Sequence, residues 1–551
     1  MEARDGRPRE EFRRDARRRR RRMTTSLKSW VGFSAMCVGM FMAILDIQVV
    51  ASSLTNIQSA LHISPDRMSW IQTGYLIAEV IAIPLTGWLT RALSLRWMFV
   101  AATLGFTLTS LGCALCTTLE PLLVVRVAQG FCGGMLIPAV FTSAFTQFPE
   151  KDRVLATMIA GTFAMIAPTI GPAVGGYLTQ TYSWHWIFLV NIAPGLVVAA
   201  LVWLCVPHEA PHWRELRRIN YATILLAALF LGSLELLLKE APPRGWHGIY
   251  VMLLLMVCTV SAATGVAACL RTTHPFINLR RFRDLSFSLG CALSFVFGLG
   301  VYGATYLMSV FLGLVRGHSP LEIGEIMMVS GAVQLLTAPL AAWLETRIDP
   351  RLLTAIGFGL FGAGLLLNGF ETSSAPMASA SWPSALQWLF EKSDDTLWPQ
   401  VIRGVAIMLC LLPATRLALE RWPQAEVPDA SAVFNLMRNL GGAIGIALID
   451  TILEQRTQGH VDGLIARLQA RDVSAAREVG IPIRQFLSAP PGPIDDMTKA
   501  ILAPMVKRAA LTQSFNEAWL MIAILFAVSL LALPLMRRAH IADSTMGPGV
   551  H

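Results

Sequence analysis

Charged side chains are scarce in this chain. Asp, Glu, Lys and Arg make up 15% of its 551 residues, against about 25% in a typical soluble domain. With 54% hydrophobic residues, that scarcity excludes an ordinary soluble enzyme. The ten His are scattered among loops and apolar-run ends. Neither an H-E-x-x-H pair nor a Gly-rich phosphate loop occurs, so metal hydrolysis and nucleotide chemistry find no motif here. Disulfide or metal frameworks are equally unsupported. All nine Cys (Cys37, Cys113, Cys116, Cys132, Cys205, Cys258, Cys269, Cys291 and Cys410) lie inside apolar runs and read as small buried hydrophobes. Even Cys113 and Cys116, at redox-motif spacing, have no second pair or nearby His. The expectation is no enzyme, no metal and no cofactor.

What the chain has instead is apolar runs of about 20 residues, each long enough to cross about 30 Å of hydrocarbon as a helix. Fourteen are predicted, near 30–53, 68–89, 97–117, 120–145, 154–179, 185–206, 219–239, 248–270, 285–313, 321–345, 352–371, 400–420, 429–451 and 515–536. The first is followed by others and lacks a small-residue cleavage site, so it does not read as a signal peptide. The fold class is an all-α polytopic membrane protein.

The net charge of +9 is concentrated in one place. Residues 1–22 hold eleven Arg and five acids, a net of +6, which removes support for nucleic-acid binding. The tail reads as a cytoplasmic anchor beside anionic lipid or a plain tail, with Met23 as an alternative start. With the amino terminus inside, fourteen Lys and Arg fall in the short inner loops (Arg91, Arg96, Lys151, Arg153, Arg214, Arg217, Arg218, Arg271, Arg280, Arg281, Arg283, Arg347, Arg351 and Arg421). Five fall outside: Arg67, Lys239, Arg244, Arg316 and Lys392. Both termini are therefore expected in the cytoplasm. Two outer connections are long, 372–399 and 452–514, the latter a polar segment with helical stretches and a PPGP break, and each reads as a passive lid or a docking surface for a partner.

An internal repeat joins the second and tenth spans. PLTGWLTRALSLRW and PLAAWLETRIDPRL align at an offset of 255 residues, matching Pro84/Pro339, Trp88/Trp343 and Arg96/Arg351. A weaker echo pairs Pro121, Arg126 and Pro138 with Pro399, Arg403 and Pro413. Two six-span halves with two spans inserted between them account for fourteen. The expected division is a tail (1–29), an N-terminal bundle (30–206), two additional spans with flanking loops (207–284), a C-terminal bundle (285–536) that includes the 452–514 loop, and a cytoplasmic tail (537–551).

A charge in hydrocarbon costs at least about 2.5–3.5 kcal/mol on insertion scales, so every intramembrane ionisable group is a functional candidate. Asp46 lies about 22 Å into the first span, and Arg126 about 9 Å below the outer edge of the fourth, which puts them at similar depth. Paired, each lowers the cost of burying the other, and protonation of Asp46 would break the pair. A permanent structural ion pair is the other reading. Glu79, about 17 Å into the second span, is a second proton carrier, the acidic partner of a cationic substrate, or a packed side chain. Glu235 reads as a snorkelling residue, and Asp429, Asp450, Glu325 and Glu345 as solvated groups at span ends. Arg403 and Arg438 are the intramembrane cations of the second half, the latter beside Asn435 and Asn439. In the fifth span Gly171, Pro172, Gly175 and Gly176 suit either a gate hinge or a tight helix crossing.

Together these segments resemble the major facilitator superfamily, specifically its fourteen-span drug:proton antiporter branch of the EmrB/QacA type. LDIQVVASSL around Asp46 is similar to the first-span acidic motif, RVAQGFCGG to the fourth-span motif through Arg126, Gln129 and Gly130, and APTIGPAVGG to the antiporter motif of span five. WHWIFLVNIAPG (184–195) and ASAVFNLMRNLGGAIGIAL (430–448) resemble further stretches of this branch. The resemblance implies the major facilitator fold and a proton-coupled inner-membrane antiporter exporting amphipathic drugs or toxic compounds by alternating access. Asp46, Arg126 and Glu79 would serve proton coupling; Gln129, Gly171, Pro172, Gly175, Gly176, Asn435, Arg438 and Arg403 would serve the substrate cavity or gating. It further implies protons, an amphipathic small molecule and the lipid bilayer as partners, with a periplasmic adaptor and an outer-membrane channel in Gram-negative members. The alternatives are export of an endogenous metabolite, lipid precursor or siderophore and, more remotely, a membrane-embedded enzyme. GWLTRALSLRW departs from the family's inner-loop motif, because Arg91 stands where an Asp normally joins an ionic latch. Gating is therefore expected to rest on a different contact.

Overall fold

The structure is a computed structural model describing residues 27–535 except 63–67, 69, 210, 212–219, 273–278, 319, 371–395, 421, 425 and 489–495. The arginine-rich tail 1–22, the connection 372–395, loop residues Arg67, Arg214, Arg217, Arg218, Lys392 and Arg421, and the tail 537–551 lie outside the described residues.

Among the described residues the secondary structure is helical throughout. This follows from the solvent: in hydrocarbon each backbone N–H and C=O must be satisfied within its own segment, which a helix achieves. In chain order the elements are α1 (Leu27–Ala60), α2 (Trp70–Leu93), α3 (Leu95–Ala114), α4 (Leu119–Gln147), α5 (Glu150–Thr181) and α6 (Trp186–Cys205), the last interrupted at Val190 and Asn191. Next come α7 (Tyr221–Glu240), α8 (Ile249–Arg271), α9 (Leu285–Phe311), α10 (Pro320–Glu345), α11 (Pro350–Asn368), α12 (Leu397–Leu419) and α13 (Val427–Gln469). Two short helices, α14 (Val473–Val479) and α15 (Ile483–Ser488), precede α16 (Asp496–Ser529). Among the described residues thirteen helices are long and apolar enough to cross a membrane, and α5, bent by 47° between its two parts, makes fourteen. Polar side chains set several starts: Asn220, Asp284 and Asp349 accept from the backbone N–H of Ala222, Phe287 and Arg351 at 3.0, 2.8 and 2.9 Å.

Two six-helix bundles share one packing plan. In the first, α1 packs on α5 and α6, α2 on α4, and α3 on α4 and α6; in the second, α9 packs on α13 and α16, α10 on α12, and α11 on α12 and α16. The halves meet along two matching seams, α2 against α13 and α5 against α10. The inserted pair α7–α8 pack on each other and lean on α2.

One segment carries more helix than its polar average suggests. Residues 452–514 are largely helical, because α13 runs on for 43 residues and α16 begins at Asp496. Leu464 and Leu468 of α13, Ala475, Ala476 and Val479 of α14, and Val506, Ala509 and Ala510 of α16 close a small core of their own. Buried apolar area thus holds together a segment whose polar average masks it. Asp472 caps α14 by accepting from Ser474 N at 2.8 Å, and its bonds to Ser474 and Arg467 pull its carboxyl down to about 2.

The end of the bundle where α1 starts is its near face, and the opposite end its far face.

Candidate functional site

Five helices of the first bundle, α1, α2, α3, α4 and α6, contribute to one buried network around a carboxylate. Asp46 of α1 is 2% exposed and Arg126 of α4 is 0% exposed. Arg126 Nη1 donates to Asp46 Oδ2 at 2.5 Å. Oδ1 accepts from Asn191 Nδ2 at 3.0 Å and from Gln129 Nε2 at 3.3 Å. Gln129, one turn beyond Arg126, also accepts from Arg126 Nη1 at 2.7 Å and donates to Ser110 of α3 at 2.8 Å. Arg126 Nε donates to the Ile71 carbonyl at 3.2 Å, and the guanidinium lies 4.4 Å from the Tyr75 ring centroid. Such a pair is tolerable in low dielectric because both carboxylate oxygens and Arg126 Nε and Nη1 are engaged, while Nη2 has no hydrogen-bond partner among the described residues. Neutralising Asp46 would leave Arg126 buried without its counter-charge, which makes the arrangement responsive to a proton.

Asp46 and Arg126, expected at similar depth, therefore meet in the structure, and Gln129 joins them. Asn191 and Ser110 were missed. Asn191 sits at the interruption of α6, inside the stretch WHWIFLVNIAPG, where a polar residue in an apolar run was the available signal.

Glu79, 4% exposed, lies one turn beyond Tyr75 on α2 but outside this network. It lines a cavity of about 120 Å³ with Gln48, Glu235, Tyr302 and Asn439, walled otherwise by apolar residues such as Ile44 and Leu76. Two carboxylates in an apolar, membrane-depth cavity can pair with a cation whose remaining surface is greasy. The snorkelling reading of Glu235 is corrected: its Oε2 is buried without a hydrogen-bond partner among the described residues, and its side chain turns into this cavity because α7 leans on α2 there.

The second-half candidates divide. Arg438 is 2% exposed, donates to Asn435 Oδ1 at 2.5 Å and lies 5.3 Å from the Phe141 ring of α4, so both residues sit where α13 meets the first bundle. Arg403 is buried within the second bundle beside Gly364 of α11, away from the cavity. In α5, a Cβ on Gly171 would come within 2.3 Å of Gln48 Cβ, and one on Gly175 within 2.7 Å of the Val49 carbonyl. These glycines are what lets α5 lie against α1. Gly176 faces open space, while Pro168 and Pro172 flank the bend.

At the near face the seam is ionic. Arg91, at the end of α2, pairs with Asp429 in the first turn of α13. Arg281 binds Asp429 and Glu426 at 3.2 Å each. Asp429 is therefore no solvated end residue, and Arg91 does join a latch, with the polarity reversed. A Cβ on Gly87 would lie 2.9 Å from Asp429 Cα, so the helices touch backbone to backbone. Glu345, also read as solvated, is 3% exposed, and Asp450 accepts from Tyr306 at 2.6 Å.

The profile of the Major Facilitator Superfamily matches residues 36–446. The chain belongs to this superfamily. It sits in the EmrB-like drug:proton antiporter branch: it is 35% identical over 502 residues to the colistin resistance protein EmrB of Acinetobacter baumannii, covering 91% of this chain and 95% of that one. It is 26% identical over 430 residues to the multidrug export protein EmrB of Escherichia coli K12, covering 77% and 80%. Among solved structures, a proton-dependent oligopeptide transporter superposes with a TM-score of 0.55 at 12% identity, over 92% of this chain and 99% of that one, and so shares the fold. A chain of this superfamily is a transporter and not an enzyme. The Asp46 network and the seams lie inside the matched region; the α13–α16 extension lies beyond it.

Proposed function

We propose that this protein is a proton-coupled exporter of amphipathic, preferably cationic, compounds across the inner membrane, with the near face and both termini in the cytoplasm. The observation that carries the reading is the buried Asp46–Arg126 pair with its Gln129 and Asn191 donors. The bundles 30–206 and 285–536 rock about the cavity, and 207–284 braces them. A proton reaching Asp46 from outside frees Arg126 and biases the α1–α4 packing; its release inside resets the pair. Glu79 and Glu235 hold the positive end of the substrate, Gly171 and Gly175 with Pro172 let α5 swing against α1, and Asn435 and Arg438 carry the motion across the seam. The relatives' names, colistin resistance and multidrug export, support such a substrate class.

Proteoliposomes with an imposed pH gradient test the assignment. Asp46→Asn should abolish gradient-driven efflux while leaving the protein folded, and undiminished efflux would sink it. The α13–α16 extension, at the far face, is the docking place for a periplasmic adaptor feeding an outer-membrane channel. Exchanging residues 470–495 for a Gly-Ser linker should abolish co-purification of that adaptor in mild detergent; co-purification that persists would refute the docking place.

A further inference from the structure

The α7–α8 pair meets the rest of the molecule unevenly. Toward the far face it is pinned: the Pro242–Arg244 turn packs on α13, and Trp246 Nε1 donates to Thr451 Oγ1 at 2.9 Å. Toward the near face the pair parts from α13 around a second cavity, of about 310 Å³. Leu226 and Phe230 of α7, Gly265 of α8, and Leu436 and Met437 of α13 form its walls. The hydroxyls that reach it are already used, since Thr223 donates to the Asn220 carbonyl and Ser261 to the Val257 carbonyl, each at 2.6 Å. With so few polar partners on offer, the space suits hydrocarbon rather than water.

The floor is the 3₁₀ segment Leu279–Arg283. At three residues per turn, positions i and i+3 share a face, and the five residues sort accordingly. Leu279 and Phe282 line the cavity; Arg280 and Arg283 are exposed; Arg281 turns inward to Asp429 and Glu426 of the latch. Arg280 is braced on the Leu270 carbonyl at 2.9 Å, and Arg271, closing α8, is exposed beside it. Asp284, the nearest acid in sequence, is occupied in capping α9. The result is a dry, membrane-depth slot with arginines at its membrane-surface end.

We infer that this cavity binds one acyl chain of an anionic phospholipid from the leaflet at the near face, with the lipid phosphate held by Arg271 and Arg283. Identifying that leaflet as cytoplasmic rests on the orientation proposed above. The cavity is distinct from the Glu79 cavity, whose carboxylates would repel such a headgroup. Its chain would lie against the back of α13 and on Leu279 and Phe282, so occupancy steadies the segment that delivers Arg281 to the latch.

Native mass spectrometry of the full chain, delipidated in mild detergent and titrated with phosphatidylglycerol or phosphatidylcholine of matched chains, tests this. Each surface arginine adds about fivefold to anionic-lipid binding, so the expected preference for one phosphatidylglycerol is about 25-fold. Arg271→Ala with Arg283→Ala should bring the two lipids to parity. Gly265→Phe, whose Cβ meets only Leu226 at 3.6 Å, fills the slot and should lose both. Equal retention of the two lipids by the unaltered chain, or undiminished phosphatidylglycerol in both variants, would overturn the inference. Transport plays no part in this readout. Lost lipid preference with intact Asp46-dependent efflux refutes only the lipid site, and the reverse result refutes only the proposed function.

Discussion

Asp46 is held by donors from α4 and α6, and each contributes a different property. Arg126 supplies charge; Gln129 ties that charge to α3 through Ser110; Asn191 supplies a neutral donor from a helix outside the pair. A hydrogen bond to an ionised group is worth about 1.5–3 kcal/mol, so removing the neutral donor should be felt. Asn191→Ala is expected to cut gradient-driven efflux by about tenfold or more while leaving the thermal unfolding midpoint close to that of the unaltered protein. Full efflux in that variant would mean that Asp46 needs only its arginine. The pairing of Asp46 with Arg126 was legible because depth in a membrane helix is linear in residue number. Asn191, Ser110 and Glu235 were not, because hydropathy says how deep a residue lies and nothing about which helix it faces.

At the scale of elements, the latch joins the end of α2 to the first turn of α13, with the cation on α2 and the acid on α13. Arg91 and Asp429 are 30% and 11% exposed, so solvent screens the pair and its contribution is modest, about 1 kcal/mol. Beneath it the Gly87 contact gives the seam its closeness, and a gating role for the ion pair is a prediction that charge reversal tests. Arg91→Asp places two acids together and should favour opening at the near face. In a background without native cysteines, Thr90→Cys should react with maleimide at least about fivefold faster when Arg91→Asp is added, and at an unchanged rate with Arg91→Lys. Equal rates in all three would leave the pair without a gating role. The sequence marked Arg91 as a departure but could not reveal its partner, which lies 338 positions away. Helical stretches in 452–514 were legible, but their packing was not: the small core is built from alanines and a few large apolar side chains spread over three helices, too sparse to register in any single window.

For the molecule as a whole, the two halves share packing but not chemistry. At the 255-residue offset that aligns Pro84 with Pro339, Glu79 falls on Gln334 and Asp46 on Val301. Ile71 and Ile326 still correspond, each carbonyl accepting from a polar side chain of the neighbouring helix: Arg126 in one half and Gln400 in the other. The repeat was readable from span lengths and proline positions, since both follow from crossing the same bilayer twice. The difference in chemistry between the halves shows only in which side chains the folded helices bring together. Arg403, the echo of Arg126, is 3% exposed, and neither its Nε nor its Nη1 has a hydrogen-bond partner among the described residues. Removing an uncompensated buried cation relieves a desolvation cost, whereas breaking a buried pair adds about 3–5 kcal/mol. Arg403→Leu should therefore leave the unfolding temperature in detergent unchanged or raised and keep gradient-driven efflux. Arg126→Leu should lower the former and abolish the latter. If the two variants behaved alike, proton coupling could not be assigned to the first half, and the repeat would be symmetric in function as well as in packing.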